Sequence, residues 1–133
     1  MNTPTGLSED GVGALQHLKE TRGINTVILS YRDTADDLAL EVEGNLTHDE
    51  LIQALPADEP RLVVHELSFA SAEGTRRNVR LVIFWIPALA GGQEEAYTAG
   101  YTALKEFLTD VHVHVTARRR EHLDYRRLVA LAG

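Results

Sequence analysis

The sequence contains no cysteine, one tryptophan, one methionine and four prolines among its 133 residues. Without cysteine the chain can form neither a disulfide nor a thiolate metal site, which is typical of proteins from a reducing compartment. No apolar run approaches the roughly 20 residues of a membrane-spanning helix, and the N-terminus lacks the apolar stretch of a signal peptide. We therefore expect a soluble, cytoplasmic protein without a membrane span.

Hydrophobic residues make up 44% of the chain and charged residues 25%, which is typical of a folded globular protein. A length of 133 residues suits a single domain, and no linker, repeat or low-complexity tract divides the sequence. The sequence therefore predicts one domain over residues 1–133.

Charge is distributed unevenly along the chain, whose net charge is −7. Residues 1–60 hold twelve acids and three bases, whereas residues 61–133 hold eight acids and ten bases. An acidic protein lacks the broad positive field that nucleic-acid binding needs, so we expect no nucleic-acid partner. Local arginine groups suit an acidic patch on a protein partner, and solvated surface charge is an equally good interpretation. The arginine groups are Arg76, Arg77 and Arg80; Arg118, Arg119 and Arg120; and Arg126 and Arg127.

Helical and strand patterns alternate in the order α β β α β β α β α. Ser8 is a suitable N-cap for the first helix, and Thr47 with Glu50 forms a capping box for the second. This order favours one mixed, partly antiparallel sheet with helices on both faces. The predicted helices cover about residues 8–21, a short segment after 47, 93–108 and 121–131, and the strands cover 24–31, 38–43, 62–69, 79–86 and 111–116.

No set of residues in the sequence indicates catalysis. The nucleophile elbow, the phosphate loop and the dinucleotide-binding glycine pattern are all missing. His112 and His114 lie two apart on a predicted strand and could begin a metal site, for which His122 or Glu121 would have to supply the third ligand. A solvent-facing pair on an edge strand is the better interpretation. We expect no enzyme activity, no metal and no cofactor.

Five short motifs, in order, resemble one known family. Residues 55–61 read Leu-Pro-x-Asp-x-Pro-Arg and precede an apolar strand. The segment 8–19 resembles the family's first helix, and Trp85-x-Pro87 resembles the end of one of its strands. Tyr97 with Ala103-Leu104-Lys105 is similar to its long helix, and residues 111–113 with Leu123-x-Tyr125 are similar to its last strand and closing helix. The family is that of actin-depolymerising factor (ADF) and cofilin, and the resemblance covers roughly residues 7–131.

The resemblance implies an α+β fold, a single ADF-homology domain whose central mixed sheet of five to six strands is flanked by helices on both faces. Residues 1–6 would form a flexible N-terminal arm. It also implies a cytoskeletal, non-enzymatic, monomeric protein that binds actin or an actin homologue, as filament or monomer, and promotes filament severing and depolymerisation. A relative of glia maturation factor, or a module that binds anionic phospholipid or metal through His112, His114 and the arginines, is the alternative.

The resemblance assigns two contact surfaces to the chain. The monomer-type surface contains Thr3, Thr5, Gly6, Tyr97, Tyr101 and Lys105. The filament-type surface contains Arg76, Arg77, Arg80, Arg118, Arg119, Arg120, Arg126 and Arg127. Thr3 or Thr5 lies where many members carry a regulatory serine, and a phosphate there would add about two negative charges.

The beginning of the long helix departs from the family pattern. Where members carry lysine or arginine, this chain reads Gly91-Gly92-Gln93-Glu94-Glu95. Loss of one partner of a buried charge pair costs about 2–5 kcal/mol, and reversal of the charge costs more. We therefore expect either weak monomer binding or a divergent actin with compensating charges.

Overall fold

A computed structural model describes residues 7–20, 23–31, 38–88, 94–108, 111 and 113–132. Five strands form one sheet in the order β2-β1-β3-β4-β5. All neighbouring strands are antiparallel except β4 and β5, which are parallel. The strands are β1 (Thr26–Tyr31), β2 (Leu38–Gly44), β3 (Arg61–Ala70), β4 (Arg76–Trp85) and β5 (Val113–Ala117).

Four α-helices cover the two faces of the sheet, which confirms the predicted fold class and element order. They are α1 (Glu9–Glu20), α2 (His48–Ala54), α3 (Glu94–Phe107) and α4 (Tyr125–Ala132). The capping box at α2 is also confirmed: the Glu50 amide donates to Thr47 Oγ1 (3.1 Å), and the Thr47 amide donates to Glu50 Oε1 (2.8 Å).

The protein has two apolar cores, one on each face of the sheet. Successive residues of a strand point to opposite faces, so Leu62 and Val64 of β3 join one core while Val63 and Leu67 join the other. The first core includes the buried side chains of α1 and α3, and the second includes those of α2 and α4. We call these the α1–α3 face and the α2–α4 face.

Two elements show the largest differences from the prediction. Strand β4 begins at Arg76 and not at residue 79, because its polar beginning is paired with the end of β3. The predicted helix over 121–131 is broken: a 3₁₀ turn (Arg120–Leu123) precedes α4, and Asp124 between them has an extended ψ of 137°. This break buries Leu123, while the Asp124 carbonyl accepts the first hydrogen bond of α4 from Leu128.

The loop of residues 55–61 is attached to the rest of the fold at several points. Trp85 Nε1 donates to the Pro56 carbonyl (2.7 Å), and Arg120 donates to the Leu55 carbonyl (3.0 Å). Arg61 forms ion pairs with Glu41 (2.7 Å) and Glu59 (3.2 Å). Burial opposes the charge of Arg61, but these two carboxylates raise its pKa above the ordinary value. The motif that suggested the family therefore has a structural role.

The substitution Trp85→Phe should lower the free energy of unfolding by about 1–3 kcal/mol, because it removes a hydrogen bond within the core and leaves a void. Urea denaturation measures this. Tyr125→Phe is the matched control, since Tyr125 also donates to a carbonyl, that of Ser68 at 3.2 Å, but is 41% exposed. We expect the control to change stability by less than about 0.5 kcal/mol. Equal losses in the two variants would contradict this role of Trp85.

Candidate functional site

Strands β3 and β4 form a hairpin whose tip carries arginines. The strands pair over their full length, from Arg61 opposite Trp85 to Ala70 opposite Arg76. The connecting turn is closed by the Ser71 amide, which donates to the Thr75 carbonyl (2.8 Å), and its Gly74 has a φ of 83° that favours glycine. Arg76 and Arg77 next to this turn are exposed. The tip is therefore a paired, exposed and basic element.

The three predicted hairpin arginines do not share one face. The Arg77 guanidinium lies 6.0 Å from the ring centroid of Phe69, on the α2–α4 face. Arg76 and Arg80 point to the opposite face, because strand side chains alternate. The Arg80 side chain is 13% exposed and lies 3.4 Å from the carboxylate of Glu66, its cross-strand neighbour. The Arg80 side chain is therefore packed against the sheet and contributes little to the exposed surface.

Helix α4 lies beside the hairpin tip. A cleft of about 290 Å³ is lined by Phe69, Arg77 and the turn residues 70–73 of the hairpin, which include Glu73, and by Val129 and Ala130 of α4. Arg126 is exposed, and its spacing of three and four residues from Val129 and Ala130 places it on the same flank of the helix. We call Phe69, Arg77, Arg126 and Val129 the hairpin–α4 surface. It brings together one arginine from each of two predicted groups.

The third group, Arg118, Arg119 and Arg120, does not act as one cluster. Arg118 donates to Glu94 at the start of α3 (2.8 Å), and both side chains are about half exposed. Arg120 donates to the Leu55 carbonyl, and its guanidinium lies 5.9 Å from the Trp85 ring centroid. Arg119 is 70% exposed and lies 3.8 Å from the carboxylate of Glu121. Arg127, of the last predicted group, lines a different cleft. This cleft has a volume of about 580 Å³ and lies between α4 and His48 and Asp49 of α2.

Helix α3 is attached to the sheet by Tyr97 and Gly100. Tyr97 is 2% exposed, and its hydroxyl accepts a hydrogen bond from the Tyr31 amide (2.9 Å). Burial raises the pKa of the Tyr97 hydroxyl. Gly100 lies so close to β1 and β2 that an added Cβ would be 2.7 Å from Leu38 Cδ1 and from the Tyr31 hydroxyl. Tyr97, predicted for the monomer-type surface, therefore lies in the core.

Tyr101 and Lys105 of the same predicted surface are accessible. The Tyr101 ring is partly buried, with its centroid 5.2 Å from that of Phe84, and Lys105 Nζ lies 4.5 Å from the Tyr101 centroid. Lys105 is the only cation of α3, whose acids are Glu94, Glu95 and Glu106.

Several predicted site residues lie outside the described residues: Thr3, Thr5, Gly6, His112 and the glycines at 91 and 92. His114 is described, and its side chain is exposed on edge strand β5. Within the described ranges, no group of three or more histidine or acidic side chains is placed to hold a metal ion. None of the described helices has the length and apolar character needed to cross a membrane.

Sequence reasoning did not single out His65, which is 3% exposed in the middle of β3. Its Nδ1 lies 2.8 Å from Thr26 Oγ1, a hydroxyl that donates to Asn25 Oδ1 (2.7 Å), so Nδ1 carries the proton that Thr26 accepts. Burial, together with nearby His48, lowers the pKa of His65 to about 4. The sequence does carry a signal for this residue, because His65 follows the apolar run Leu62-Val63-Val64.

Residues 5–131 match the family model described as cofilin/tropomyosin-type actin-binding protein. The chain belongs to this ADF/cofilin family. Among curated relatives it is 24% identical to actin-depolymerizing factor 10 of Oryza sativa subsp. japonica over 119 residues, which are 87% of this chain and 79% of the relative. It is 26% identical to actin-depolymerizing factor 3 of Arabidopsis thaliana, covering 80% of this chain and 79% of the relative.

Solved ADF/cofilin-family structures share the fold at low sequence identity. The cofilin of Streptomyces griseoflavus superposes with a TM-score of 0.86 at 23% identity over 96% of both chains. Actin depolymerization factor 2 of Plasmodium berghei superposes with a TM-score of 0.83 at 16% sequence identity over the whole of both chains. Coactosin from Entamoeba histolytica superposes with a TM-score of 0.82 at 14% sequence identity, over 96% of this chain and 94% of the coactosin chain. At these identities the likeness concerns the fold.

Proposed function

We propose that this ADF/cofilin-family protein binds the side of actin or actin-homologue filaments and promotes their severing and depolymerisation in the cytoplasm. The observation that carries the proposal is the hairpin–α4 surface, where a cleft with the apolar side chains of Phe69 and Val129 in its wall has Arg77 and Glu73 in its lining and Arg126 on the neighbouring flank of α4. A cleft with cations at its rim fits the interface pattern of a desolvated apolar centre inside a polar rim. The family's description as actin-binding supplies the partner class.

The hairpin can present its arginines without a large ordering cost. Its two strands are paired over ten residues each, so the tip is already held before a partner arrives. Preorganisation of this kind raises affinity because less conformational entropy is lost on binding. The arginine fork also suits a carboxylate on the partner, with which it can form two parallel hydrogen bonds.

Severing would follow from unequal affinity for two filament geometries. A side-binding protein that prefers one twist of the filament shifts the population toward it, by as much as its difference in affinity for the two states. We propose that monomer binding, through the N-terminal arm with Thr3, Thr5 and Gly6 and through α3, is the weaker activity. The acids of α3 would oppose an acidic partner there.

Co-sedimentation with polymerised actin, at low and moderate salt, tests the filament interaction. The double substitution Arg77→Gln/Arg126→Gln, which removes both arginines of the hairpin–α4 surface, should weaken saturable pelleting by about 10-fold or more, since each charged contact contributes on the order of 1 kcal/mol. Wild-type pelleting should itself weaken as salt rises. Arg80 is left unchanged because it is largely buried beside Glu66.

The matched control is Arg119→Gln, which removes a comparably exposed arginine outside the hairpin–α4 surface. It should pellet within about 2-fold of the wild type, because its long-range contribution is screened. Equal losses in the control and the double variant would indicate a general charge effect and contradict a specific surface. Absence of wild-type pelleting with actin and with actin-homologue filaments at tens of micromolar would reject the proposed function itself.

A further inference from the structure

In the part of the chain that the structure describes, the end of β3 lies beyond β1 and has no strand partner on that side. Strand β1 is the neighbour of β3 there, and its pairing stops at His65. The Glu66 amide still donates to the Asn25 carbonyl (2.8 Å), just before β1. Because backbone groups alternate between the two sides of a strand, the Ser68 carbonyl points to the same side as the Glu66 amide. A group outside the sheet must therefore satisfy this carbonyl.

Tyr125, the first residue of α4, supplies that group. Its hydroxyl donates to the Ser68 carbonyl at 3.2 Å. Along the helix, Tyr125 is followed directly by Arg126 and one turn later by Val129, and both belong to the hairpin–α4 surface. On the hairpin, Ser68 directly precedes Phe69 of the same surface. One hydrogen bond thus joins the two halves of the hairpin–α4 surface at residues adjacent to its members.

The Tyr125 ring is itself held by α2. Its centroid lies 5.7 Å from that of His48, in an edge-on arrangement. His48 Nε2 also donates to the Leu123 carbonyl (2.6 Å), two residues before Tyr125. Between them, the extended Asp124 ends the 3₁₀ turn and directs the chain into α4. The break in the predicted helix and the contact with His48 together place the Tyr125 hydroxyl at the free edge of β3.

We propose that Tyr125 is a positioning residue for filament binding, because its hydroxyl fixes the arrangement of the hairpin relative to α4. It thereby sets the separation of Arg77 and Arg126, and it acts through these two arginines. Two cations that must reach their partner groups together bind more tightly when neither has to be ordered first. Tyr125 is 41% exposed, so its effect concerns local order more than global stability. This inference rests on the proposed function and adds a residue that neither predicted contact surface contains.

The substitution Tyr125→Phe tests the proposal, since it keeps the ring beside His48 and removes only the hydroxyl. We expect filament pelleting to weaken about 3- to 5-fold, while the urea midpoint stays near that of the wild type. Hydrogen exchange of the free protein, followed by mass spectrometry, should become faster in peptides that cover residues 66–79. Exchange elsewhere in the sheet should stay unchanged, because the hydrogen bond lies at the hairpin tip.

Thr98→Ala is the matched control. It also removes an exposed hydroxyl that donates to a backbone carbonyl, that of Glu94 at 2.8 Å, but it lies on α3. Pelleting of this variant should stay within about 2-fold of the wild type, because the substitution leaves the hairpin–α4 surface intact. Its hairpin should exchange as in the wild type. Equal losses of pelleting in the two variants would overturn a specific role of Tyr125.

A triple variant distinguishes positioning from direct contact with the filament. If Tyr125 acts through the two arginines, adding Tyr125→Phe to Arg77→Gln/Arg126→Gln should weaken pelleting by less than about 2-fold further, at low salt. A merely additive loss, equal to that of Tyr125→Phe alone, would overturn the positioning role, since the hydroxyl would then act independently of the arginines.

The two measurements separate this inference from the proposed function. Unchanged hairpin exchange in Tyr125→Phe would overturn the inference, and so would unchanged pelleting, while the filament surface itself would still stand. If the wild type pellets with neither actin nor actin-homologue filaments, the proposed function fails and the role of Tyr125 in binding fails with it. Faster hairpin exchange in Tyr125→Phe would even then support the coupling of the hairpin to α4.

Discussion

Replacement of Gly100 by alanine is expected to lower the free energy of unfolding by about 1–3 kcal/mol, although alanine is the better helix former. The added Cβ would lie 2.7 Å from both Leu38 Cδ1 and the Tyr31 hydroxyl, and Leu38 is fully buried. The helix and the strands must therefore move apart by some tenths of an ångström, or the Leu38 and Tyr31 side chains must change rotamer. Thermal and urea unfolding followed by circular dichroism measure the loss.

Gly13→Ala is the matched control for that experiment. Gly13 also lies inside a helix, α1, but nothing is within 4 Å of the Cβ that alanine would add. The same substitution should therefore raise stability by about 0.5–1 kcal/mol, the usual gain in a helix interior. A stabilising Gly100→Ala would show that α3 is not packed as closely against β1 and β2 as described. Because α3 carries Tyr101 and Lys105, the destabilised variant should also bind actin monomer less well.

The second large effect is a loss of stability in mild acid, caused by His65. The unfolded chain protonates this histidine near 6.5, whereas the folded state does so only near its lowered pKa of about 4. Between these values the unfolded state binds more protons, so stability is highest above 6.5 and falls as pH falls toward 4. At 1.36 kcal/mol for each pKa unit, the contribution is about 3 kcal/mol at pH 4.

Urea denaturation at several pH values between 4 and 7.5 tests this expectation. His65→Leu should remove the part of the pH dependence of the free energy of unfolding that His65 contributes. In this variant the Thr26 hydroxyl can still donate to Asn25. His114→Gln, an exposed substitution, should leave the slope as in the wild type. If His65→Leu retains the full slope, acid sensitivity arises from other groups and His65 is not its source.

Local signals were sufficient to predict most of the elements. Thr47 and Glu50 specify the start of α2 by chemistry within four residues, and the structure confirms both hydrogen bonds. The start of β4 was missed because Arg76, Arg77 and Asn78 have no strand pattern of their own. They form part of β4 because they pair with the end of β3, and this tertiary contact is not visible in the local sequence.

The candidate surfaces were harder to predict, because proximity in sequence does not give proximity in space. Arg118 and Arg120 are two residues apart, yet one contacts α3 and the other the loop before β3. Arg77 and Arg126 are far apart in sequence and lie on the same surface. The resemblance assigned Tyr97 and Lys105 to one surface, but only the packing of α3 against β1 shows that Tyr97 is inside while Lys105 is outside.

The parallel pairing of β5 with β4 has a consequence for how the chain folds. Strands β1 to β4 and their antiparallel contacts are all contained in the first 85 residues, whereas β5 can pair only after α3 has crossed over the sheet. Until then β4, which includes the apolar run from Leu81 to Trp85, presents an unpaired edge to other chains. Such an edge is a template for aggregation. We therefore expect the last third of the sequence to protect the nascent protein from aggregation, and truncation before β5 should lead to inclusion bodies rather than to a smaller soluble domain.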